Sequence, residues 1–104
     1  MRKAKIFVSG VEAGTLTELE QGKEYVFEYQ NAYEGNEISQ TMPTNTKVYK
    51  FNKFPPFFDG LLPEGFQLEG LLKIRKIDKN DLLSQLIAVG EDLIGVVTVK
   101  EIAE

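Results

Sequence analysis

The residue types that do most enzyme chemistry are missing from this sequence. It has no histidine and no cysteine. That removes Ser-His-Asp and Cys-His nucleophile arrangements, and it removes ordinary zinc sites, which need imidazole or thiolate ligands. No glycine-rich phosphate loop of either common type is present. Carboxylates remain, for example Glu12 with Glu18 or Asp78 with Asp81. Acid–base work needs two such groups in environments that drive their pKa values apart, and solvation at the surface is the simpler expectation for both pairs. The cluster Lys47, Lys50 and Lys53 is a basic strip. In a chain with net charge −4, its expected role is to protect a sheet edge, because an acidic domain gains little from counterion release on a polyanion.

One residue stands out for recognition. Pro63 suits a first helical turn and Glu64 favours the positive end of the dipole, so a helix is expected from Pro63 to Lys73. At about 100° per residue, with Phe66 at zero, Leu68, Leu71 and Leu72 fall near 200°, 140° and 240°. The core face then lies opposite Phe66, whose neighbours are Leu62, Glu69, Gly70 and Lys73. Three readings follow. Phe66 is an anchor for a partner, or it lies before the true helix start or folds back on Phe57 or Phe58, or it is one idle exposed ring.

The elements around it are legible. Lys3 to Ser9 alternates Ile6 and Val8 against Lys5 and Phe7, a strand pattern. Gly10 and Gly14 bracket a turn, and Thr15 to Leu19 returns as a second strand. Gln21-Gly22-Lys23 is the next turn. Glu24 to Gln30 follows, with Tyr25, Phe27 and Tyr29 sharing a face. Asn31 to Glu37 is a polar loop. Ile38 to Met42 is a short strand stopped by Pro43, and Thr46 to Phe51 is another extended segment. Phe54 to Gly60, with two prolines and three phenylalanines, is an ordered loop over the core. Asp78 caps a second helix whose apolar face is Leu82, Leu83, Leu86, Ile87 and Val89, and Gly90 stops it. Gly65 and Gly70 each weaken the first helix by about 1 kcal/mol relative to alanine. Leu93 to Val99 is a buried final strand, and Lys100 to Glu104 fray. The expected fold is α+β over residues 1–104 as a single domain. It is a small, mostly antiparallel sheet or open barrel with two helices in the C-terminal half. The 42% hydrophobic and 27% charged composition suits it. No apolar run reaches the roughly 20 residues of a membrane span, and the start lacks a signal-peptide core. A cytoplasmic location is expected.

The stretch from Phe57 to Gly65 resembles the F-F-x-N/G-L-L-P-E-G motif of HipA-type serine/threonine kinase toxins, in the subdomain before their kinase body. The run from Leu82-Leu83 to Gly90-Glu91-Asp92-Leu93-Ile94-Gly95-Val96-Val97-Thr98-Val99 is similar to that family's L-L-x-x-x-G-x-D-x-x-G segment. The early Val8, Gly10, Gly14, Leu16 pattern also matches, as does Ile38-Ser39 with Met42-Pro43. The resemblance covers nearly the whole chain. In the family this subdomain leads into an ATP-binding loop, a catalytic aspartate and a metal-binding aspartate. The sequence stops at Glu104, before any of them, so the resemblance implies no enzyme activity and no cofactor. It implies a free-standing, HipS-like antitoxin of a three-gene toxin–antitoxin system. The partner would be a HipA-like kinase toxin, and a helix-turn-helix protein of the same operon would contact DNA. Direct nucleic-acid or membrane binding is not expected. The alternative is a structural subunit that completes a split kinase without inhibiting it. The expected partner-binding residues are Phe57, Phe58, Asp59, Leu62, Pro63, Glu64, Phe66 and Lys73.

Overall fold

The computed structural model describes residues 1–93 and 95–102. Five strands form one antiparallel sheet: β1 (Arg2–Val8), β2 (Val11–Glu20), β3 (Glu24–Tyr29), β4 (Val48–Phe51) and β5 (Val97–Ile102). Their order is β4-β3-β2-β1-β5. The first four strands make a meander and the last returns beside the first. The sheet is open, with β4 and β5 as its edges, so the barrel alternative does not hold. Three helices complete an α+β fold: α1 (Pro56–Asp59), α2 (Gly65–Arg75) and α3 (Leu82–Val89).

Period-two patterning puts one side of every strand inward. Ala4, Ile6 and Val8 line up with Leu16, Phe27 and Val99 through the registers Ala4↔Leu16, Leu16↔Phe27 and Ile6↔Val99. Phe54, Phe58, Leu83 and Leu86 close over that face, all buried. The aromatic alternation expected of β3 holds, since Tyr25, Phe27 and Tyr29 are all core residues. Lys50 lies on β4, the edge expected to carry it.

Several boundaries differ from the sequence reading, each for a local reason. Gly14 is inside β2 rather than in the turn, which is made by Ser9 and Gly10 at positive φ. A Cβ at Gly14 would sit 2.3 Å from the Glu28 carbonyl oxygen, so the glycine serves close strand approach. Ile38 to Met42 is not a strand. Its backbone is satisfied by a side chain instead, because the Ile38 N–H donates to the Tyr29 hydroxyl, which in turn donates to the Met42 carbonyl. The Phe54–Gly60 loop contains a one-turn helix, with Pro56 in its first turn where the missing N–H costs nothing. Helix α2 starts at Gly65, two residues later than expected, because Gly65 has a φ of +59° and Glu64 is extended. Asp81, not Asp78, caps α3 by accepting from the Ser84 N–H, while Asp78 accepts from the Asn80 N–H. The last strand runs later than expected, from Val97 to Ile102, so Lys100 to Ile102 are paired rather than frayed. Ile94, Ala103 and Glu104, which those expectations also covered, lie outside the described residues.

Candidate partner-binding surface

The expected binding residues separate by burial. Phe58 is fully buried and stacks obliquely on Phe27, with ring centroids 6.0 Å apart. It is core, and unavailable to a partner. The motif's paired phenylalanines fall on different sides because consecutive residues of α1 point about 100° apart. Phe57 is half-buried and meets Phe58 edge-on at 5.2 Å. Leu62 and Pro63 are half-buried, and Leu62 packs against the core. Asp59, Glu64 and Lys73 are exposed. Phe66 is 92% exposed. It is the second residue of α2, so it neither precedes the helix nor folds back onto the other phenylalanines. Of its three readings, local packing is eliminated.

Helix α2 explains that exposure. Its N-cap makes no side-chain hydrogen bond, and no residue of the helix is buried. Leu68, Leu71 and Leu72 are half-exposed rather than sealed, although they do face away from Phe66 as the angles required. The C-terminal end closes with Lys76 in the left-handed region at φ 53°, and the Ile77 N–H donates to the Leu72 carbonyl. The helix lies beside α3 and contributes no member of the buried core. Between the approach to α2 and the end of α3 is a groove of about 400 Å³, lined by Leu61, Leu62, Pro63, Gln67, Val89 and Leu93 among others.

Ile74 was not among the expected residues, yet it is 80% exposed. Its signal was available: it falls two turns along α2 from Phe66 and about 80° round. Such a pair of bare apolar side chains on one helix is the kind of surface a partner covers.

Glu12, Glu18 and Asp81 are engaged in ion pairs, whereas Asp78 is exposed and accepts from the Asn80 N–H. Glu12 faces Lys5 at 3.4 Å. Glu18, 5% exposed, takes 2.6 Å and 2.9 Å bonds from the Arg2 guanidinium, and its other oxygen accepts from the Tyr25 hydroxyl. Arg2 also reaches Asp81 at 2.7 Å and the Ser84 hydroxyl at 2.7 Å. Burial acts to raise the Asp81 carboxyl, but hydrogen bonds from Arg2 and Ser84 outweigh it and hold the group below its ordinary value. Burial, with a further contribution from Glu18, raises the Tyr25 phenol. This is a clamp joining β1, β2, β3 and α3. No helix among the described residues is long and apolar enough to cross a membrane.

Comparison with known proteins bears on the same residues. The family model described as HipA N-terminal domain matches residues 4–100. A Haemophilus influenzae protein, described as an uncharacterized protein, is 29% identical over 101 residues, covering 97% of this chain and 93% of its own length. A solved structure described as the N-terminal domain of HipA toxin superposes with a TM-score of 0.78 at 27% identity, covering all of this chain and 95% of that one.

Proposed function

The chain belongs to the HipA N-terminal domain family, and from that premise we propose that it is an antitoxin that binds and inhibits a HipA-like serine/threonine kinase without catalysing a reaction itself. The observation that carries this reading is Phe66, a bare ring at the start of a helix that buries none of its residues. A domain that normally packs on a kinase body has a reason to leave such a helix uncovered. As a separate polypeptide it would present the same helix to the kinase in trans. In this reading the complex forms in the bacterial cytoplasm, and a helix-turn-helix component encoded with it contacts DNA.

The test mixes the purified chain with a HipA-like kinase of the same genome and follows ATP-dependent phosphorylation. Activity should fall in proportion to added chain and level off at saturation. Full activity at saturating chain, or no complex, overturns the proposal. The coverage of 95% of a HipA N-terminal domain also favours a second reading, in which the chain completes the kinase fold. The sign of the same assay separates the two, since completion preserves or raises activity.

A further inference from the structure

Gly70 sits at the middle of α2, where glycine weakens a helix. Glycine in such a place usually admits a close neighbour, but a Cβ built on Gly70 meets nothing within 4 Å. Nothing in the described fold therefore requires it. Gly70 also stands four residues after Phe66 and four before Ile74, so the three lie along one stripe, with about 40° between successive members and about 12 Å from end to end. Both ends of that stripe are bare apolar side chains.

The C-terminal end of α2 and the turn that follows it are basic. Lys73, Arg75, Lys76 and Lys79 are exposed, and among the described residues none makes an ion pair. The carboxylate among them, Asp78, is turned to the Asn80 N–H. Glu69 stands one turn before Lys73 and is not paired with it. Lys73 and Arg75 suit the negative end of the helix dipole, but Lys76 and Lys79 lie beyond the helix. At the other end Phe66 has Glu64 and Glu69 for neighbours. A mixed-sign surface of this kind, on a chain of net charge −4, disfavours a polyanion or an anionic bilayer and fits a protein groove with its own charge pattern.

We infer that Phe66, Gly70 and Ile74 form one seam that packs lengthwise into an apolar groove of the kinase, with Gly70 the point of closest backbone approach and an acidic rim facing the basic run beyond Ile74. This rests on the antitoxin reading and names the contact it would use, a helix laid into a groove.

The decisive variant is Gly70→Gln. It adds a good helix former at a site with open space, so the free chain should melt at a higher temperature. Binding to the kinase, by titration calorimetry, should weaken at least tenfold. Ile74→Ser should raise the dissociation rate. Reversal of Lys73, Arg75 and Lys76 to glutamate should slow association at least fivefold at low salt and flatten its salt dependence. If Gly70→Gln and Ile74→Ser bind like the unaltered chain while Phe66→Ala does not, the seam is overturned and the antitoxin reading stands. If the unaltered chain forms no complex, that reading fails and the seam with it. If the charge reversal leaves kinase binding untouched but abolishes capture of phosphatidylserine vesicles or duplex DNA, the basic run serves a different partner and the acidic rim is overturned.

Discussion

The Arg2 guanidinium donates to two carboxylates that are 16 and 79 residues away in sequence, and it locks the first strand to the cap of α3. Glu18 is nearly buried, so removing its cation leaves a carboxylate with little besides the Tyr25 hydroxyl to satisfy it. Breaking a buried pair costs about 3–5 kcal/mol. With Arg2 about a third exposed, Arg2→Ala should cost about 2 kcal/mol, read by urea denaturation. The pH dependence follows from Asp81, whose folded pKa lies below its unfolded value of 3.8. A depressed carboxylate contributes stability that is complete above the unfolded pKa and disappears as pH falls through the folded one. The urea midpoint should therefore decline below about pH 4, and Asp81→Asn should flatten that decline. A slope unchanged by the substitution would assign the acid sensitivity to other carboxylates. Phe66 is the opposite kind of residue, making no contact worth removing in the free chain. Phe66→Ala should leave the melting temperature unchanged while weakening the kinase complex by about 2 kcal/mol, about thirtyfold in Kd. Phe66 was legible because its angle opposes three leucines. The Arg2 clamp was not, because no local pattern ties Arg2 to Asp81.

At the scale of elements, patterns with a short period were the readable ones. Alternation placed β1 and β3 almost to the residue because one face of each is wholly buried. The segments missed are those in which a side chain or a proline replaces the backbone ladder. Tyr29 satisfies the Ile38–Met42 turn, and Pro56 opens a helix inside what reads as a loop. The start of α2 was misplaced because Gly65 takes a left-handed conformation that a sequence cannot distinguish from an ordinary helical glycine. Gly90 does stop α3, but its stronger role is contact with the sheet. A Cβ there would lie 2.1 Å from the Val99 carbonyl oxygen, next to the bond that the Val99 N–H makes to Gly90. Backbone must shift to admit it, so Gly90→Ala should cost about 2 kcal/mol or more, at the upper part of the range for overpacking. Lys76 presents the reverse case. It holds a left-handed cap that glycine adopts without strain, and Lys76→Gly should stabilise the free chain by about 1 kcal/mol.

Taken whole, the molecule is a sheet with a well-filled inner face and a helix that its own core does not hold. Helix α3 packs on β5 and supplies Leu83 and Leu86 to the buried core, whereas α2 touches mainly α3 and supplies no buried residue. An isolated helix of 11 residues is marginal in water, and Gly70 lowers its stability further. Local opening of α2 should therefore lie well below the global unfolding free energy, while the amides of β1 to β3 open only with the whole domain. Hydrogen exchange gives a direct reading. In the free chain, amides from Leu68 to Arg75 should exchange at least a hundredfold faster than those of Ile6, Leu16 and Phe27. Saturation with the kinase should slow the α2 amides at least tenfold and leave the sheet amides unchanged, because the partner supplies the face that the domain lacks. If the α2 amides of the free chain are as slow as the sheet's, the helix already has its full complement of contacts and leaves no open face for a second polypeptide to cover.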